Sequence, residues 1–296
     1  MKKNRINITK LTFILIIFMS IIFFNYGNDF YWHVRIGEFI FKKRAIPYTD
    51  IFSWYGITNN LHWISHEWLF EVIIYLFQVL FGKSGAIVYT VIAIIILSHL
   101  IYKINESIFD KNKFYTIAWA IIGLISLSGY ILPRPHLLSY IYFTIIIIFI
   151  IRLITNENSK LVFFTPIAII MWANSHGGSS NLSYIIFALT IISSILPFKN
   201  KLILTKKQLY KLFYGFMCSI IFIIFNPHGI KMIIYPYQNI TYTTMTNCID
   251  EWQSINLTSI NGICYSILII GILLYILKNI KRVNLYDILL LFSFTI

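Results

Sequence analysis

The sequence predicts an all-α, polytopic helical membrane protein, one transmembrane domain over residues 1–296, and three observations predict it. The chain is 58% hydrophobic and only 12% charged, with a mean hydropathy of +0.76; soluble domains carry about 25% charged residues. Apolar runs recur along its length, several of them near the roughly 20 residues that cross a bilayer as a helix. Those runs are continuous Ile, Leu and Phe rather than alternating apolar and polar residues, which excludes a β-barrel.

The formal charge of +13 does not point to a nucleic-acid partner, because of where it lies. Basic residues cluster between apolar runs: Lys2, Lys3, Arg5 and Lys10; Lys103, Lys111 and Lys113; Lys199, Lys201, Lys206, Lys207 and Lys211; Lys278, Lys281 and Arg282. Loops on the cytoplasmic side look like this, where Lys and Arg set topology and meet anionic lipid. The partner implied is the lipid bilayer.

Taken in order, the chain opens with a basic flank and the run LTFILIIFMSIIFF, which reads as an uncleaved signal anchor with its N-terminus in the cytoplasm. Further apolar runs fall near residues 67–81, 85–102, 115–132, 138–154, 161–173, 182–197, 211–225, 263–277 and 285–296. If all of them crossed, the basic segment 198–212 would lie outside, against the positive-inside rule. The run that fails to cross is 67–81. It is short, and Glu67, Glu71, Tyr75 and Gln78 line one helical face, as in an amphipathic helix lying in the interface. Gly82 and Gly85 then permit a turn into a true span. This leaves about nine spans, with residues 25–84 as a first outer loop containing interfacial helices and 226–262 as a second. On that map every histidine except His99 falls outside, as do Asp29, Glu38, Asp50, Glu67, Glu71, Asp250 and Glu251. Groups able to do chemistry therefore collect on the extracytoplasmic face of a cell membrane. The chain stops inside the apolar run LLLFSFTI, which reads as a C-terminal truncation of a longer protein.

The residues that could carry chemistry concentrate in the first outer loop. Asp29 stands where a helix N-cap would stand, and equally where a membrane-surface carboxylate could act as general base or metal ligand. His33 follows one turn later on the same face, then Arg35 and Glu38; Gly37 in that helix points to close packing. Lys42, Lys43 and Arg44 either snorkel to headgroups or bind a lipid phosphate. Asp50 lies in a turn ahead of an extended segment at 52–54, and its plain role is to stabilise that turn. His66 and Glu67 bring an imidazole and a carboxylate to the start of the 67–81 helix without forming a zincin motif, since Phe70 replaces the second His. Trp63 and Trp68 read as interfacial anchors.

Three later outer turns add His136 beside Arg134, His176 beside Asn174, and His228, each next to Gly or Pro. Arg134, held between two prolines, needs a partner near lipid: a phosphate or an acid of the first loop. The three cysteines, Cys218, Cys248 and Cys264, have no metal spacing, and both a Cys248–Cys264 disulfide and free thiols remain open.

The patterns Asp29-x-x-Trp32-His33-x-Arg35-x-Gly37-Glu38, Pro47-x-x-Asp50-x-Phe52-Ser53 and Trp63-x-x-His66-Glu67-Trp68-Leu69, followed by Arg134-Pro135-His136, Asn174-x-His176-Gly177-Gly178 and Asn226-Pro227-x-Gly229, resemble bacterial polytopic proteins of the GT-C glycosyltransferase superfamily. The relatives in view are protein O-mannosyltransferase-like and aminoarabinose-transferase-like enzymes. The resemblance implies a sugar carried on polyprenyl phosphate, an acceptor hydroxyl or amine, and an acidic first-loop residue that activates the acceptor or holds a divalent metal. Asp29 matches that position, with Asp50, His66 and Glu67 as further catalytic candidates. His33, Arg35, Glu38, Arg134, His136, Asn174, His176 and His228 are the substrate-binding candidates. This sequence departs from the family in having Asn28 rather than a second acid beside Asp29. The alternatives are a transporter or flippase of a lipid-linked or anionic substrate, a membrane metalloenzyme using the histidines, and an inactive scaffold.

Overall fold

The computed structural model describes residues 24–108, 112–197, 202–240, 253–281 and 283–295, and over these residues the protein is helical without a named strand. The signal anchor, Cys248, Asp250 and Glu251 lie outside the described residues. Cys218 and Cys264 are free thiols.

Helix α1 (Phe30–Lys43) buries one stripe, Phe30, His33, Ile36, Gly37 and Ile40, at helical spacing. Arg44 ends it in the left-handed conformation, with its N–H on the Ile40 carbonyl at 2.9 Å. The chain then doubles back through paired backbone bonds, Trp63 N to Tyr48 O and Asp50 N to Leu61 O, each 2.9 Å. Within the segment expected to be extended, 52–54, Ser53 is extended and Trp54 already opens a short helix, α2 (Trp54–Asn59). The reason is local: Ser53 caps it by accepting from the Gly56 N–H, and Asp50 accepts from the backbone of Phe52 and Ser53.

Helix α3 (Trp68–Phe81) lies on α1, and a side chain at Gly37 would run into the Glu71 carbonyl and the Tyr75 side chain. Gly37 is therefore the point of closest approach. The polar face of α3 consequently faces α1 rather than the headgroup layer expected of a free amphipathic helix: Glu71 is only 3% exposed. At Gly82 (φ +56) the chain makes a turn that disfavours a side chain. It then runs back as α4 (Gly85–Ile108), so that Phe70 and Phe77 both meet the Tyr89 ring.

The remaining helices are α5 (Lys113–Ser126), α6 (His136–Thr155), α7 (Thr165–Ser175), α8 (Leu182–Ile195), α9 (Lys206–Ile223), α10 (Lys231–Ile240), α11 (Ile260–Lys278) and α12 (Leu285–Thr295). Helix α6 joins two cores. Its first turns place Leu137 and Ile141 with Phe30, Phe70, Ile74, Tyr89 and Leu124. Its later turns place Ile146, Ile150 and Leu153 with Trp172, Phe187 and Leu212. The two ends of α6 also differ in chemistry. Its N-terminal end carries Arg134, His136 and Ser139. At its C-terminal end Gln208 donates to the Leu153 and Ile154 carbonyls, and Lys207 and Lys211 bind Asn158, Glu157 and Ser159. At 1.5 Å per residue those ends are roughly 30 Å apart, a bilayer core's thickness.

Four helical stretches are long and apolar enough to cross a membrane: Trp68–Ser107, His136–Thr155, Gly177–Ile195 and Ile260–Lys278. The first of these is broken at Gly82. Lys113–Ser126 and Leu161–Ser175 are apolar but shorter. Four such stretches among the described residues compare with the nine spans expected. Apolar side chains left on the outside, such as Ile263, Ile267, Ile270 and Leu274 of α11, suit a lipid solvent.

Candidate functional site

Four chain segments bring their acids and imidazoles to one place at the N-terminal end of α6. Asp29 does occupy the N-cap position of α1, but its carboxylate makes no capping hydrogen bond. It accepts instead from Arg134 Nε at 2.7 Å, and its other oxygen lies 3.6 Å from His33 Nε2. Arg134 thus has an acid of the first loop as a partner, one of the two expected.

Glu67 is the hub. Its Oε1 lies 3.3 Å from His66 Nε2 and 3.5 Å from His176 Nε2, and its Oε2 lies 3.7 Å from His33 Nδ1. The same His33 nitrogen is 3.5 Å from Glu71 Oε1. His136 packs edge-on to His176 with ring centroids 4.6 Å apart. The backbone holds the arrangement: Gly177 N–H donates to the His66 carbonyl at 2.9 Å, and Trp68 Nε1 donates to Asn174 Oδ1 at 2.6 Å.

The Trp172 indole donates to the Ser139 and Ser179 hydroxyl oxygens at 3.1 and 3.0 Å. The Ser139 hydroxyl is 2.6 Å from His176 Nδ1. His176 Nε2 is turned to the Glu67 carboxylate, which favours the tautomer protonated there, and Nδ1 then accepts from the Ser139 or Ser179 hydroxyl. Burial and the adjacent His136 hold His176 down to about 3, so this ring is neutral at physiological pH. His66 differs. Its Nδ1 lies 3.0 Å from the Ile64 carbonyl, so that nitrogen carries a proton. Burial opposes its cation, but the Glu67 charge outweighs burial and raises its pKa.

The other shifts fit the same pattern. For Glu67, burial favours the neutral acid, but His66 and then His33 hold it well below the usual carboxylate range. For His33, burial is outweighed by the facing carboxylates of Asp29, Glu71 and Glu67, which raise it to about 10. Asp29 is lowered, burial being overcome by His33 and then Arg134.

Beside this network lies a cavity of about 350 Å³ lined by His62, Trp63, Ile64, His228, Lys231, Ile234 and Gln238. It adjoins the hub through Ile64, whose carbonyl is the partner of His66 Nδ1, and the Tyr235 ring, next in sequence to the lining residue Ile234, lies 4.7 Å from that of His66. His228 therefore lines the cavity, packed on Tyr48, rather than touching Glu67.

Asp29, His33, His66, Glu67, Arg134, His136 and His176 converge. Arg35 and Glu38 do not: with Lys42 they form an exposed ion-paired triad, Lys42 to Glu38 at 2.6 Å, on the opposite side of α1 from His33. Asp50 is taken up by the Ser53 hydroxyl and the turn ahead of α2. Asn174 is a structural latch on Trp68 and on the Phe225 carbonyl. Glu71, Ser139, Ser179 and Trp172 belong to the network but escape a motif reading. Glu71 could have been found, as a carboxylate one turn after Glu67 in an otherwise apolar helix; the serines give no such signal. Comparison with protein-family models, with curated proteins and with solved structures finds no match.

Proposed function

We propose that this chain is a membrane transferase that moves a sugar from a polyprenyl-phosphate donor to an acceptor hydroxyl or amine at the extracytoplasmic face. The observation that carries this reading is the convergence of Asp29, His66, Glu67, Arg134 and His176 on one end of the bundle, beside a cavity lined by His62, His228 and Lys231. Such a transfer needs a base for the acceptor and positive charge for the departing phosphate. Asp29, with 42% of its side chain exposed, is the most accessible carboxylate of the network. It takes the acceptor proton as the acceptor's oxygen or nitrogen bonds to the anomeric carbon. The bond from that carbon to the phosphate oxygen breaks, and its electron pair leaves on the phosphate. His66, its pKa raised by the Glu67 charge, and Lys231 on the cavity wall are the groups assigned to that charge. Because the acceptor acidifies as it loses electron density, a carboxylate of low pKa suffices as base.

The sidedness rests on α6, with acids and histidines at one end and Lys207 and Lys211 at the other. The exposed aromatic tip of the first loop, Trp54 at 79% and Tyr55 at 60%, suits the headgroup layer. Mass spectrometry of lipids co-purifying with the protein tests the donor class. A polyprenyl-phosphate sugar bound to wild type, accumulating in membranes of Asp29→Asn, supports transfer; bulk phospholipid alone contradicts it.

One observation favours a transporter or flippase as the second reading. Glu71 is buried within an otherwise apolar stretch, where ionisable groups often mark an ion pathway. Uptake of a lipid-linked or anionic substrate into proteoliposomes, without covalent change, would select that reading.

A further inference from the structure

We infer that His33, Glu67 and Glu71 form a binding site for one first-row divalent cation of the Zn²⁺ or Mn²⁺ kind, with Asp29 orienting the histidine from behind. His33 Nδ1 lies 3.7 Å from Glu67 Oε2 and 3.5 Å from Glu71 Oε1, and one ligand atom from each residue falls within 4.8 Å of the others. Those separations are long for hydrogen bonds. The His33–Glu71 separation matches ligands sharing an ion, since two donors each about 2.0–2.1 Å from a tetrahedral metal sit roughly 3.3–3.5 Å apart, and the His33–Glu67 separation lies just outside that range.

Three further features point the same way. Glu71 is 3% exposed, and its Oε2 has no hydrogen-bond partner among the described residues; a buried carboxylate oxygen left so is costly unless a cation meets it. Glu67 divides its oxygens: Oε1 faces His66 and His176, while Oε2 is turned to His33. Asp29 faces the far nitrogen of the same imidazole at 3.6 Å, as carboxylates do behind metal-bound histidines. One imidazole and two carboxylates suit Zn²⁺ or Mn²⁺ better than soft ions. The metal is thereby assigned away from Asp29, the residue the family resemblance would give it to.

The site does not rest on the transferase reading, and its test uses no sugar donor. The purified full chain in detergent is stripped with a chelator and titrated separately with Zn²⁺ and Mn²⁺ against a competing chromophoric chelator. One ion per chain is expected. Affinity should fall more than about 100-fold in His33→Gln and Glu71→Gln, and about 10–100-fold in Asp29→Asn. Glu106→Gln, an exposed carboxylate paired with Lys103, should bind as wild type does. X-ray absorption of the wild-type complex should show only N/O ligands with one imidazole, a readout that stands if a variant does not fold. Absence of a stoichiometric ion in wild type overturns the site and leaves the transferase reading in place. Binding unchanged in folded His33→Gln and Glu71→Gln, or a sulfur or multi-imidazole shell, overturns it equally.

Discussion

Arg134 Nε donates to Asp29 Oδ1 at 2.7 Å across 105 positions of sequence, tying the start of α1 to the turn that opens α6. The pair is partly exposed on the Asp29 side, so its coupling should be modest. A double-mutant cycle of Asp29→Asn and Arg134→Gln, read by thermal unfolding in detergent, should give about 0.5–1 kcal/mol. Strict additivity would mean that the pair holds nothing together.

Stripped of metal by a chelator, the network should also give the fold a pH window. Asp29 and Glu67 are held below their ordinary values of 3.8 and 4.5, so their contribution is present above those values and lost as pH falls. His33 is raised from 6.5 to about 10, so its contribution is complete below 6.5 and lost as pH rises through about 10. His176, held down from 6.5 to about 3, adds a loss as pH falls below 6.5, so thermal stability should peak near pH 6.5 and decline on both sides. His33→Gln should flatten the alkaline decline; an unchanged alkaline limb would remove His33 from the balance.

Gly37 should tolerate no side chain. Gly37→Val would drive a methyl group into the Glu71 carbonyl and Tyr75 and should cost about 1–3 kcal/mol by overpacking. Because the same contact positions Glu71, turnover should fall with stability. A variant as stable and active as wild type would show that α1 and α3 can separate freely.

The exposed triad and the loop turn supply a contrasting expectation. Arg35→Ala and Glu38→Gln should leave turnover within about two-fold of wild type, as expected of surface positions. Asp50→Ala should cost about 1 kcal/mol through the lost turn and cap contacts, with chemistry intact. A hundred-fold loss in any folded member of this set would put that residue back in the site.

What could be read from the sequence followed from periodicity and charge. The helical membrane class, the turn at Gly82, the close approach at Gly37 and the shared face of Asp29 and His33 all follow from spacing along one helix. His66, Glu67, Arg134, His136 and His176, grouped on one face by the expected topology, do come together. Where the structure sets a candidate apart from the site, the direction of its side chain or the partner it meets decides. Arg35 and Glu38 lie in the same motif as His33, yet the turn of α1 points them to solvent. Asp50 and Asn174 looked chemical because polar residues in loops do, and their partners, Ser53 and Trp68, decide otherwise. Nothing local marks Ser139 or Ser179 as the partners of His176 Nδ1, and the polar face of α3 turned out to serve α1.

The hub itself offers the most direct test. Consumption of a polyprenyl-phosphate sugar, with release of the polyprenyl phosphate, should be measured for wild type and for Glu67→Gln, both shown to be folded by size-exclusion profile and melting temperature. A transferase organised on Glu67 should turn over as wild type and lose at least about 100-fold in the variant, the scale of removing one electrostatic group from a reaction centre. Undiminished turnover in folded Glu67→Gln, or no turnover by wild type in the presence of donor and acceptor, would contradict it.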